Sequence, residues 1–146
     1  RREFFYAENG KGAFMNHKRI RVSANRIFKN SIIGSEFNNL KDDELKTHLE
    51  EIAKILNIDT KIRFSGCNSI DLAWVACGRY DGFISKKVNL CNLSAGILLV
   101  NEAGGLVSDF NLNEDFLNFQ DICIGNPSIY SQTIKLIQYR KNKSHS

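Results

Sequence analysis

From residue 31 onward, short apolar runs alternate with longer amphipathic ones, and this limits the fold more than any other feature. Ser31-Ile-Ile-Gly34 and residues 60–64, 80–85, 106–110 and 122–124 read as strands, rich in β-branched and aromatic residues and bounded by Gly, Asn or Asp. Residues 41–56, 68–77, 92–103 and 128–139 read as helices between them. In the first helix Leu45, Leu49, Ile52, Ile55 and Leu56 form one stripe, and Asp42 and Asp43 complement its N-terminus. The second is apolar enough to be buried and is closed by Gly78 as its C′ residue. The third, in LCNLSAGILLVNEAGG (90–105), presents Leu93, Ile97, Leu98 and Val100, stops at Gly104-Gly105, and has Asn92 in place as its N-cap. Such alternation predicts a layered α/β domain with a largely parallel C-terminal sheet and flanking helices.

The first residues follow another rule. EFFYAE (3–8) and AFMNHKRIRVS (13–23) flank Asn9-Gly10, and an Asn-Gly turn between β-prone runs predicts a hairpin. Two strands alone are marginal in water. Residues 1–27 are therefore expected to be a hairpin from an incomplete antiparallel sheet, the end of a truncated first domain, with residues 28–146 forming the C-terminal α/β domain. The chain begins with Arg1 and its single Met is Met15, which also predicts a longer parent. With the apolar face of the hairpin exposed, residues 1–146 are expected to self-associate.

The 146 residues suffice for one core, and 42% hydrophobic with 25% charged residues is ordinary for a globular protein. No apolar run approaches the roughly 20 residues that span a bilayer, so no membrane association is expected. Net charge is +4, but three cations lie in Arg140-Lys-Asn-Lys143, which reads as a solvated tail; no aromatics interleave them as a nucleic-acid surface would need. Cys67, Cys77, Cys91 and Cys123 lack metal-ligand or redox spacing and read as reduced, mostly buried thiols of a cytoplasmic protein. In open α/β sheets ligands bind at strand C-terminal ends near helix N-termini. That directs attention to Gly34-Ser35, Gly66-Cys67-Asn68, residues 85–92 and Gly125-Asn126.

GCNSIDLAWVACGRYDGFI (66–84) followed by SAGILLVNEAGGLVSDF (94–110) resembles the inositol monophosphatase family of Mg²⁺-dependent phosphomonoesterases. FFYAENGKGAFMNHKRIRVS (4–23) and DICIGNPSIY (121–130) are also similar to it, especially to its bacterial branch. The resemblance runs in order over nearly the whole chain. It implies a sandwich of alternating α and β layers in a protein about twice this long, homodimers, and a small phosphorylated polyol as substrate.

The family's Gly-Glu-Glu and Asp-Pro-Ile/Leu-Asp-Gly-Thr metal motifs do not occur here. Its last metal ligand, the Asp of Trp-Asp-x-Ala-Ala-Gly, matches Asn92 in Cys91-Asn-Leu-Ser-Ala-Gly96. Asn offers Mg²⁺ a neutral amide oxygen where a charged one is preferred. The family's sugar-binding Glu matches Ser85. Lys86 and Lys87 follow it and read as a solvated loop or as residual attraction for an anion. Ser35 matches a residue that can touch the substrate ring, and Gly66, Cys67 and Asn68 match the turn lying against the substrate; structurally, Gly66 would simply permit a turn and Asn68 cap a helix. Asp71 and Asp81 match family residues that read as structural. The resemblance thus implies a C-terminal portion inactive alone, with no intact catalytic set and a possible missing N-terminal half. The alternative it implies is a non-catalytic bacterial protein or fragment, acting through protein or RNA contacts in ribosomal RNA transcription and processing.

Overall fold

A computed structural model describes residues 2–37, 39–115 and 120–144, the side chains of 90–92 and 139–144 excepted. The first element pair is the Asn-Gly hairpin, β1 (Phe5–Glu8) and β2 (Gly12–Met15), paired antiparallel with Tyr6 opposite Phe14. The predicted second arm is not one strand. Asn16 and His17 both take positive φ (49° and 72°) and turn the chain back into β3 (Lys18–Ile20). Positive φ at both central residues is the geometry of a two-residue hairpin turn, and Asn is among the few residues that adopt it readily. The result is a three-stranded sheet, β1-β2-β3.

One face of this sheet is buried. Ala13 and Ile20 join a core with Leu72, Val75, Leu93 and Val100. The other face carries Tyr6 stacked on Phe14 at 5.2 Å, with Phe4 beside them and 69% exposed. That apolar face predicts self-association of residues 1–146, to be seen as a concentration-dependent sedimentation coefficient; a monodisperse monomer at all concentrations would contradict it.

The remainder forms a five-stranded sheet of order β5-β4-β6-β8-β7, made of β4 (Ile32–Glu36), β5 (Lys61–Arg63), β6 (Gly82–Lys86), β7 (Leu106–Ser108) and β8 (Asp121–Gly125). It is mixed. β5-β4-β6 is parallel, whereas β8 runs antiparallel to both β6 and β7. A parallel neighbour needs a crossover, usually a helix, and the described residues between β7 and β8 contain none.

Helices α2 (Asn68–Ala76) and α3 (Leu90–Glu102) pack between the two sheets. α1 (Asp42–Leu56) and α4 (Pro127–Ser144) cover the far face of the large sheet with Ile33, Ile52, Ile55, Ile84 and Ile129. This is the expected sandwich of alternating layers. Of the predicted stripe in α1, Ile52 and Ile55 are buried and Leu45 partly so, while Leu49 and Leu56 are about half exposed and His48 and Glu51 take the other buried positions.

The α2–α3 layer is thin because Gly96 of α3 meets Leu72 of α2; a Cβ on Gly96 would lie 2.6 Å from Leu72 Cδ2 and 2.7 Å from its Cβ. Gly96→Ala should therefore destabilise the fold by about 1–3 kcal/mol through overpacking, read as a lower thermal midpoint. Asp81 locks the sheet junction: it accepts from Ser23 Oγ at 2.6 Å and from the Ile32 N–H at 2.8 Å. Asn126 also donates to Ser23 Oγ, and its side-chain oxygen caps α4 through the Ile129 N–H. Among the described cysteines, Cys67 is exposed, Cys77 half-buried and only Cys123 buried, so the expectation of mostly buried thiols fails at the exposed turn before α2.

Candidate functional site

The C-terminal ends of β4 and β6 lie side by side, with Ser35 opposite Ile84 and Glu36 opposite Ser85. Neighbours along a strand project to opposite faces. Ile33 and Ile84 lie in the core against α1 and α4, while Phe83 lies in the core against α2 and α3. Ser35 therefore faces α1, and Glu36 and Ser85 face the α2–α3 layer.

On the α1 face, four polar side chains are linked in series. Ser35 Oγ donates to the Ile84 carbonyl at 2.8 Å and lies 3.0 Å from His48 Nε2. His48 is fully buried, with its ring edge-on to Phe37. Its Nδ1 is 3.6 Å from Glu51 Oε2, and Glu51 Oε1 is 3.3 Å from Lys86 Nζ. The order Ser–His–Glu is that of a nucleophile set. However, the Ser35 proton is given to a backbone carbonyl, so the imidazole is the donor and Ser35 the acceptor, and no solvent reaches the hydroxyl. The series braces α1 against β4 and β6. It also corrects the solvated-loop reading for Lys86, which ends β6 paired with Glu51, whereas Lys87 is exposed in the loop that follows, beside Glu44 at 3.1 Å and donating to the Asn39 carbonyl at 3.2 Å.

On the α2 face, Gly66 takes φ +79°, which the turn into α2 requires. Ser65 Oγ accepts from the Cys67 N–H and donates to the Cys67 carbonyl, each at 3.0 Å. Cys67, exposed, is the N-cap residue and makes no side-chain cap bond. Asn68 is thus the first helical residue and not the expected cap, because the extended residue before the helix is Cys67. The side-chain oxygen of Asn68 is buried without a hydrogen-bond donor. Asp71, three residues on and so on the same side of the helix, is fully buried, and neither carboxylate oxygen has a hydrogen bond. Burial pushes its carboxyl from 3.8 up to about 6, the nearby Ser65 hydroxyl pulls it partly back, and the like charge of Glu36 adds to the rise.

Asp71 thus binds its proton more tightly in the folded than in the unfolded chain. Its contribution to stability is full below pH about 4 and is lost as pH rises through about 6. Asp71→Asn should remove that part of the decline, checked by urea unfolding at several pH values.

The structure brings Gly66, Cys67, Asn68 and Ser85 to one end of the α2 layer and places Ser35 on the opposite face of the sheet. Ser85 is 1% exposed, and its hydroxyl donates at 3.3 Å to the Lys86 carbonyl. Asn92 is the third residue of α3, not its cap: the helix begins at Leu90, leaving Asn89 in the cap position. The side chains of Asn92 and Cys91 lie outside the described residues. Among the described residues no group of three or more His, Cys, Asp or Glu is placed to hold a metal ion. The described donors therefore do not fit the Mg²⁺ centre that the resemblance implies.

Glu36, His48 and Glu51 escaped the reading of the sequence. His48 and Glu51 had a signal, since each falls on the α1 face that Ile52 and Ile55 bury. Glu36 had none until strand pairing set it opposite Ser85.

Residues 1–142 match the model of the inositol monophosphatase family. The chain is 37% identical over 140 residues to Nus factor SuhB of Pseudomonas aeruginosa, covering 94% of this chain and 52% of that protein. It is 33% identical over 136 residues to inositol-1-monophosphatase of Mesorhizobium japonicum, covering 93% and 51%. The crystal structure of extragenic suppressor protein suhB from Bartonella henselae superposes with a TM-score of 0.87 at 36% identity, covering 93% of this chain and 52% of that one. The chain spans about half the length of the curated relatives it matches.

Proposed function

Since the chain belongs to the inositol monophosphatase family, we propose that it is the sugar-side portion of a phosphomonoesterase fold, without hydrolytic activity on its own. The observation that carries this is the donor set: no acidic cluster among the described residues is placed for a metal, and a neutral Asn stands at position 92. Magnesium, when bound in such a fold, polarises the phosphate and activates water. This chain's own residues shape the turn at Gly66 and the polar ends of β4 and β6 beside it. A small phosphorylated polyol is the matching substrate class. The Mg²⁺-binding carboxylates would come from an N-terminal half, in a longer parent or a separate chain. Homodimers and a cytoplasmic location complete this reading. Phosphate release from inositol 1-phosphate, followed over a range of Mg²⁺ concentrations, tests it. The background rate is expected; Mg²⁺-dependent turnover by residues 1–146 would refute it.

The similarity to Nus factor SuhB supports a second reading, a non-catalytic role through protein or RNA contacts, which needs no metal site. Titration with single-stranded RNA at low and moderate salt tests its RNA arm. Binding that weakens steeply with salt is expected, and no binding at low salt would count against it.

A further inference from the structure

We propose that Asn9-Gly10 is a site of covalent modification, at which the Gly10 amide nitrogen closes onto the Asn9 side chain, and that the isoaspartyl product unclasps the hairpin turn from α3. Asn9 is the one Asn of the sequence that is followed by Gly. A larger residue in second place would set a Cβ beside the nitrogen that must attack, whereas Gly sets none. Both residues are exposed, and a Cβ built on Gly10 would meet nothing within 4 Å, so the surroundings leave the approach open.

The step needs only water as co-reactant. The Gly10 nitrogen forms a bond to Asn9 Cγ, the Cγ–Nδ2 bond breaks, and ammonia leaves with the proton that the Gly10 nitrogen gives up. A cyclic imide results. Water then opens it at either carbonyl. Opening at Cγ gives Asp on an ordinary backbone. Opening at the former backbone carbonyl gives isoaspartate, whose main chain runs through Cβ and Cγ.

The consequence follows from what this turn holds. The Lys11 N–H closes it on the Glu8 carbonyl at 2.9 Å, and Glu8 stands opposite Gly12 in the β1–β2 ladder. The buried Gly12 N–H donates at 2.8 Å to Oε1 of Glu102, the last residue of α3, and the Gly10 N–H serves the same carboxylate. One side chain thus clasps the turn to the helix. Isoaspartate lengthens the main chain between Glu8 and Gly12 by a methylene. Hairpin register is set by turn type and loop length, so the Gly12 N–H is drawn out of place. The new carboxylate also follows Glu8 directly and adds a like charge to the turn that Glu102 holds.

The test is incubation of residues 1–146 at physiological temperature and mildly alkaline pH. Intact mass, peptide mapping that separates Asp from isoaspartate, and amide hydrogen exchange at Gly12 are then recorded. The expected result is the mass gain of one amide-to-acid conversion, found at residue 9 before any other Asn. Gly12 should exchange at least about tenfold faster in the isoaspartyl fraction, the weight of one hydrogen bond to a charged group. Glu102→Ala, which removes the clasp and leaves the turn sequence intact, should reproduce that faster exchange. Asn9→Gln sets its carbonyl one methylene further from the attacking nitrogen and should keep both its mass and its slow exchange. Asn9→Asp, measured fresh, carries the charge on an ordinary backbone and should stay close to the unmodified chain. No conversion at residue 9, or conversion no faster there than at other Asn residues, would overturn the site. An isoaspartyl fraction with unchanged exchange at Gly12 would overturn the unclasping, as would a fresh Asn9→Asp chain that exchanges equally fast or a Glu102→Ala chain that exchanges no faster.

Discussion

Replacing Glu51 by Ala will lower the unfolding free energy by about 3–5 kcal/mol, the usual cost of leaving one member of a buried ion pair alone. Glu51 is 6% exposed and touches two cationic or potentially cationic groups, Lys86 at 3.3 Å and His48 at 3.6 Å. Without it, the partners left to Lys86 among the described residues include the Phe110 ring, 5.8 Å away, and the charge of Asp121. A loss of this size is a large part of the 5–15 kcal/mol that stabilises a typical domain. Urea midpoints measure it. The double variant Glu51→Ala, Lys86→Met should recover part of the loss, because no cation is then stranded. A loss under about 1 kcal/mol would mean the pair behaves as a solvated surface bridge, contrary to its place between α1 and β6.

The second large effect concerns activity. Mixed with a separately expressed N-terminal half of a homologue, Asn92→Asp should release phosphate from inositol 1-phosphate at least about 100-fold faster than the unmodified chain in the same mixture. Even outer-shell partners of metal ligands are worth 10–100-fold, and position 92 is where the family resemblance implies a direct ligand. The substitution adds one anionic oxygen in the first turn of α3, where a negative charge is also favoured by the helix dipole. Equal rates for the two chains would remove Asn92 from the explanation.

Much of this architecture was legible in the chain. The strand–helix order from residue 31 depends on local periodicity, so α1, α2 and the large-sheet strands fall where the pattern puts them. The places that misled were those where long-range pairing decides. The antiparallel run of β8 follows from a connection without a described helix, and Asn16-His17 became a turn because β3 could pair back on β2. Leu49 and Leu56 looked like core residues, yet His48 and Glu51 took the buried positions, where Ser35 meets His48 Nε2 and Lys86 meets Glu51 Oε1. The site was less legible than the fold. Ser35 and Ser85 lie on neighbouring strands and both end up buried, but on opposite faces of the sheet. Glu36 and Asp71, 35 positions apart in sequence, lie on β4 and α2, which pack against each other, so that the charge of one reaches the other. Spacing along the chain carries no trace of either outcome.

The most direct test of the central claim, that this chain holds the scaffold but not the metal centre, is a calorimetric titration of Mg²⁺ onto residues 1–146. The account predicts no saturable uptake, because the described donors do not converge on a cation and position 92 offers a neutral amide. Uptake of a stoichiometric equivalent with a clear end-point would contradict it.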